Sequence, residues 1–211
     1  MLREQVTVDG NINAKSFDFV SHMSRMVGDF YKIFGATSCD MGAQLVDTLV
    51  EVIQGPCPGN QIALIQAKII DSSRDFIAGF DTAEDLLPIG FTEDDFANIG
   101  EFKSGFVTLL LSLLEGDLDV DKVEKMANAL DFKVVKDRLL AVFTHFAKEI
   151  LERDDINMET LNVNHVNDKL IKDSFEGGIN EAFELYILMQ TLAANSETAR
   201  NNITRKTFNA E

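Results

Sequence analysis

The sequence predicts an all-α protein, either an armadillo-like α-solenoid or a helical bundle of about seven antiparallel helices. Apolar residues recur every three or four positions along most of the chain, the period of one helix face. No apolar–polar alternation is long enough to build a sheet. Only three prolines and 13 glycines in 211 residues leave long stretches free to stay helical. No clean internal repeat is visible, so both architectures stay open.

The first helix is expected over 16–34, where Phe17, Val20, Val27, Phe30, Tyr31 and Phe34 fall largely on one face and Gly35 stops it. A second runs over 41–53, with Leu45, Leu49 and Ile53 four apart. The run Gly55-Pro-Cys-Pro-Gly59 then forces a turn, with Gly55, Pro56 and Pro58 making the hairpin. A third helix starts near Asn60, with Ile62, Ile65, Ile69 and Phe76 on its inner side. The acidic stretch 80–99 holds Pro88 and Gly90 and reads as a loop, in which Thr92 to Asp95 starts at most a short turn.

The most apolar helix is expected over 101–115. Phe102, Phe106, Leu109, Leu110, Leu113 and Leu114 cover more than one of its faces, which places it centrally, and Gly116 caps it. A short helix over 121–130 follows, then one capped by Asp131 that carries Val135, Leu139, Val142, Phe146 and Ile150. Asn and Asp accumulate over 152–178, so this stretch reads as a connector with one short helix near 165–175 and a turn at Gly177-Gly178. Asn180 caps a last helix with Phe183, Ile187, Gln190 and Ala194 on one side, and the polar tail after Asn195 frays. The expected organisation is a helical domain over 1–151, a connector over 152–179, and a final helix and tail over 180–211.

Composition narrows function. The 35 acidic against 19 basic residues give a formal charge of −16, which repels phosphate backbones and anionic lipid and excludes nucleic acid as a partner. The longest apolar run, 106–114, falls far short of the roughly 20 residues that span a bilayer, so direct membrane insertion is not expected. Two cysteines, Cys39 and Cys57, make no disulfide framework and suit a reducing compartment.

Catalytic patterns are missing. His22, His145 and His165 are scattered, and neither His-x-x-x-His nor Cys-x-x-Cys offers a zinc site. Cys57, between two prolines, suits a packed small apolar residue better than a nucleophile. Asp117, Asp119 and Asp121 have the spacing that opens an EF-hand loop, but Lys122 stands where the loop needs Gly and Asn128 where it needs Glu. Asp154, Asp155, Asn157 and Glu159 fit no better. The expectation is a protein without enzymatic activity or cofactor.

One stretch is distinctive. Leu49-Val-Glu-Val-Ile-Gln-Gly-Pro-Cys-Pro-Gly-Asn-Gln61 resembles a motif of the ryanodine receptor and inositol trisphosphate receptor family of intracellular calcium-release channels. There, a helix ends in Glu-x-x-Gln-Gly-Pro-Cys and the next begins Asn-Gln, within the RIH-associated domain. The motif residues here are Glu51, Gln54, Gly55, Pro56, Cys57, Asn60 and Gln61. Leu2-Arg-x-Gln5, Asp29-Phe-Tyr31 and Thr108 to Gly116 are similar to further family segments in the same order, and the likeness is good to about Leu151.

The resemblance implies an armadillo-like segment of a tetrameric channel, on the cytosolic face of an endoplasmic-reticulum-type membrane. Its partners would be other channel segments or subunits. In the family the Glu of this motif contributes to the activating Ca²⁺ site, which makes Glu51 a candidate Ca²⁺ ligand. A carboxylate is a hard oxygen donor suited to that ion, and a cation would relieve the repulsion between an anion and a helix C-terminus. The other ligands come from upstream of the Leu-Arg-x-Gln element and from near the membrane, so the site is expected to be incomplete in this sequence. The receptor EF-hand pair is not expected in the short 152–178 stretch. The alternative is a stand-alone scaffold or structural subunit without channel activity, towards which the start at Met1 leans.

Overall fold

The computed structural model describes residues 18–55, 57–80, 83–92, 96–116, 120–151 and 169–205. Ten α-helices follow one another in these residues: α1 (Phe19–Phe30), α2 (Cys39–Ile53), α3 (Pro58–Gln66), α4 (Ile69–Ala78), α5 (Ala83–Leu86), α6 (Phe96–Leu113), α7 (Val120–Ala129), α8 (Phe132–Leu151), α9 (Lys169–Asn195) and α10 (Glu197–Arg205). Short 3-10 turns occupy Tyr31–Ile33, Ala36–Ser38 and Leu87–Ile89. No strand occurs among the described residues, and the fold is all-α.

The apolar character of α6 dictates the arrangement. Phe102, Phe106, Leu109, Leu110, Leu113 and Leu114 are all buried, as their spread over several faces predicts. A helix apolar all round must be covered all round. Here α2, α4 and α9 cover α6, while α8 packs on both α4 and α9. In a solenoid each repeat touches only its neighbours. Helix α6 instead contacts α2 and α9, both distant in the chain, so these contacts describe a bundle around a central helix.

Aromatic rings fill the space between α1, α4 and α6. Phe76 is fully buried and stacks on Phe106 at 4.7 Å between centroids, with Phe34 and Phe102 meeting it edge-on at 5.5 and 5.4 Å. Phe34 stacks on Phe102 at 5.0 Å. Small residues set the approach of the surrounding helices. A Cβ on the buried Gly42 of α2 would clash with the Phe30 ring at Cε1 and Cζ.

Several elements differ from the sequence expectation, each for a physical reason. Helix α1 ends at Phe30 and tightens into a 3-10 turn, and Phe34 is extended (ψ 135°), which drives its ring into the core. Gly35 is also extended rather than a left-handed cap; it is small because the Ile89 carbonyl oxygen lies 2.8 Å from where a Cβ would sit. The expected third helix is two, α3 and α4, broken at Lys68, a non-glycine residue at φ 64°. That conformation costs about 1 kcal/mol and carries no turn-residue signal. Of the expected inner side, Ile69 and Phe76 are buried but Ile62 is exposed.

The expected loop 80–99 contains α5, a 3-10 turn through Pro88 and the first turn of α6; residues 93–95 lie outside the described residues. Helix α9 runs unbroken through Gly177, Gly178 and Asn180, where a turn and an N-cap are expected. Its buried stripe is Leu185, Leu188 and Leu192, whereas Phe183 and Ile187 face outward. After Asn195 the chain forms α10 instead of fraying, and Ala199 is fully buried there. Asp131 does cap α8, accepting from the Lys133 N–H at 2.9 Å. Gly116 takes the left-handed conformation beyond α6 (φ 84°).

Replacing Phe76 by Ala empties the centre of the ring cluster. We expect F76A to lower unfolding free energy by about 3–5 kcal/mol, read from urea denaturation of the whole chain. A loss under about 1 kcal/mol would contradict a core organised around this ring.

Candidate functional site

The motif turn closes the end of α2 onto the end of α6. Gln54 ends α2, donating its N–H to the Val50 carbonyl at 2.8 Å. Gly55 follows at φ 80°, a conformation that favours glycine, and its N–H meets the Glu115 Oε2 at 3.4 Å. Cys57 is buried, and its carbonyl accepts the Gln61 N–H at 3.1 Å. Pro58 belongs to the first turn of α3 rather than to the hairpin expected of it, because a helix start needs no N–H there. Pro56 lies outside the described residues.

Asn60 and Gln61 carry the interactions that hold this turn. Both are buried near the start of α3. Asn60 Nδ2 donates to the Val52 carbonyl at 2.9 Å, satisfying an orphan carbonyl at the end of α2. Gln61 Nε2 donates to the Ser112 carbonyl in the last turn of α6 at 3.2 Å and to the Glu115 carbonyl just beyond it at 3.3 Å. Gln61 Oε1 accepts from Lys122 Nζ of α7 at 3.1 Å, and Lys122 is itself buried. Two adjacent amides therefore tie α2, α3, α6 and α7 together. Beside them opens a groove of about 360 Å³ lined by Pro58, Ile62, Ile65, Glu115 and Lys125, among others.

Glu51 stands exposed on the last turn of α2. Among the described residues no three His, Cys, Asp or Glu side chains are grouped to hold a metal ion. Glu51 can supply one carboxylate, and among the described residues no acidic set surrounds it. His22 is exposed on α1. Asp121 lies in the first turn of α7, while Asp117, Asp119, His165 and the 154–159 carboxylates lie outside the described residues.

Long-range polar ties hold the far side. Arg138 of α8 grips Glu181 of α9 through two contacts of 2.6 and 2.8 Å, with Glu181 almost fully buried. Glu184 accepts from Ser104 and Thr108 of α6 at 3.0 and 3.1 Å. Glu124 of α7 accepts the Glu197 N–H at the start of α10 at 3.2 Å. The hydroxyls of Ser196 and Thr198, followed by the backbone N–H groups of Glu197 and Thr198, hold the Glu124 carboxyl below the usual glutamate value. None of these partners was legible in the sequence, because each pair is separated by more than 40 residues.

The geometry defines a helical module whose signature motif locks helix ends. Residues 1–77 match the family described as RyR and IP3R Homology associated, and the matched stretch includes the Gln54-Gly-Pro-Cys57 motif. The match spans α1, α2, α3 and most of α4. The likeness expected at 108–116 falls outside it. No solved structure matches the chain.

Gln61→Leu removes both donors to α6 and one acceptor from a buried ammonium. We expect a loss of about 2–4 kcal/mol, with amide exchange at the end of α6 and start of α7 accelerating first; unchanged exchange there would refute the clasp. Glu124 has a depressed folded pKa, so its contribution is complete above the ordinary glutamate value and is lost as pH falls from there through the folded value. Protection factors across α10 should drop in that acid window and lose this pH dependence in Glu124→Gln. Equal acid sensitivity in both proteins would exclude Glu124 as the titrating group.

Proposed function

We propose that this chain is a non-catalytic helical module of an intracellular calcium-release channel assembly, contributing to calcium-dependent gating from the cytosolic side. The observation that carries this reading is the match of residues 1–77 to the RyR and IP3R Homology associated family, together with the motif turn those residues build. Glu51 is the residue proposed to face Ca²⁺. It fits the ion in chemistry, as an exposed carboxylate on a turn held by Asn60. The remaining oxygen ligands are proposed to come from other channel segments. No helix among the described residues is long and apolar enough to cross a membrane, so in this reading membrane-spanning parts are supplied elsewhere in the assembly. The second reading is a scaffold or structural subunit without channel activity. The many helix-to-helix ties would serve a passive spacer equally well.

Calorimetry separates right from wrong on the ion. Isolated chain titrated with Ca²⁺ should show only weak binding, with Kd no tighter than about 10⁻⁴ M, because one carboxylate does not make a site. Tight binding that persists in Glu51→Gln would overturn the assignment of Glu51. Within the intact assembly, Glu51→Gln should shift Ca²⁺ activation to higher concentration. The native reading frame and the co-purified polypeptides decide between the two readings: membrane-spanning segments in either favour the channel module, and none in both favours the scaffold.

A further inference from the structure

The outer seam between α1 and α2 is apolar and open. Met26 and Ile33 on the α1 side are 46% and 66% exposed, and Met41 on α2 is 60% exposed. With Leu45 and the edge of Phe30 they line a groove of about 610 Å³. Single exposed apolar residues are ordinary on a protein surface, but several sharing one groove mark a contact site. Among the described residues the charged side chains lining it are acidic, Asp29 and Asp40, both near the 31–38 connection. Lys32 pairs with Asp29 at 2.9 Å, but both side chains are over 70% exposed, and a pair so solvated yields readily to a competing cation.

We propose that this groove docks a basic amphipathic helix of a partner protein, its apolar face on Met26, Ile33 and Met41 and its Lys or Arg side chains on Asp29 and Asp40. Charge complementarity selects this occupant. A second copy of the chain would bring another −16 to the contact, and an anionic lipid surface would meet the same repulsion. Unbranched methionines fit partner side chains of varied shape. From Met26 on α1 to Ile33 in the 3-10 turn that follows it the groove spans about 10 Å, enough for about two turns of partner helix presenting apolar residues at i, i+3 or i+4, and i+7.

The test uses the full 211-residue chain and two synthetic peptides of one helical pattern, one built from Leu and Lys, the other from Leu and Glu. Anisotropy should show the Leu/Lys peptide binding and weakening with added salt, with the Leu/Glu peptide at least about tenfold weaker. Methyl resonances of Met26 and Met41 should shift on titration. Asp29→Lys with Asp40→Lys should weaken binding about tenfold or more, and Met41→Gln several-fold. The same charge change placed on α5 and α8, Glu84→Lys with Asp137→Lys, should leave affinity within about twofold. Equal loss in both charge-reversed proteins would show general attraction to an acidic surface and overturn the proposal. So would methyl shifts confined to other sites. A concentration-dependent dimer abolished by Met41→Gln would assign the groove to a second copy, and contacts from residues 1–17 to the Met26 and Met41 methyls would assign it to this chain's own N-terminal segment; either result overturns the proposal.

Discussion

Every helix in a bundle ends in carbonyls that have no partner within the helix, and a buried end must find one elsewhere. This constraint governs the assembly around α6. Its last turn meets the side chain of Gln61, the end of α2 meets Asn60, the end of α3 meets Ser24 at 3.2 Å, and the end of α7 meets Arg74 at 3.1 Å. The donors come from other helices or across a turn. Each such bond is modest in net worth, but leaving the same carbonyl buried and unmet costs about 1–3 kcal/mol. Amide side chains suit the two most buried ends because they donate without bringing charge into the core. The second half of the Gln61 amide then serves Lys122, so a single side chain satisfies acceptors on one helix and a donor on another.

Ring packing and end-locking reinforce each other. The stacked pairs Phe76–Phe106 and Phe34–Phe102 fix the rotation and depth of α4 and the 30–35 segment against α6. They fix translation along α6 less well, since apolar contacts are not directional. Gln61 supplies direction at one end of α6, and the Glu184 carboxylate, held by Ser104 and Thr108, supplies it nearer the middle. The Arg138–Glu181 pair does the same between α8 and α9, in a setting where removing one partner would strand a buried charge.

The sequence reveals more of the helices than of what joins them. The central place of α6 follows from apolar residues on several faces, and the break at Gly55 follows from backbone chemistry that only a few residues satisfy. The division of α3 from α4 does not follow, because Lys68 enters the left-handed region under tertiary packing, with the Ala67 carbonyl taken by Ser24. Helix α9 keeps Gly177, Gly178 and Asn180 within its length, so local turn preference loses there to the continuity of the helix. Three- and four-residue spacing links Phe183 and Ile187 into one apolar stripe, yet the leucines Leu185, Leu188 and Leu192 are the ones buried on α9. The candidate site was legible as a motif but not as a mechanism. Asn60 and Gln61 are visible in the sequence, whereas Ser112, Glu115 and Lys122, some 50 to 60 positions on, bear no local mark of their role.

The same clasp gives physical content to the motif carboxylate. Glu51 lies on the exposed side of the turn whose opposite side carries Val52 and Ile53, both buried, with the Val52 carbonyl tied to Asn60. The backbone beneath Glu51 is therefore fixed while its carboxylate stays in water. An anion at a helix C-terminus faces the negative end of the dipole, a repulsion that a cation bound as proposed would relieve. It pays little ordering entropy in the backbone when a cation arrives, because Asn60, Gly55 and Gln61 have already set the turn. If Glu51 faces Ca²⁺ as proposed, this preorganisation suits a site shared between polypeptide segments: this chain would present its carboxylate at a fixed place, and the geometry of the whole site would depend on where the other segments stand. In the proposed reading, a displacement of those segments would change ion occupancy without any rearrangement among the helices packed around α6.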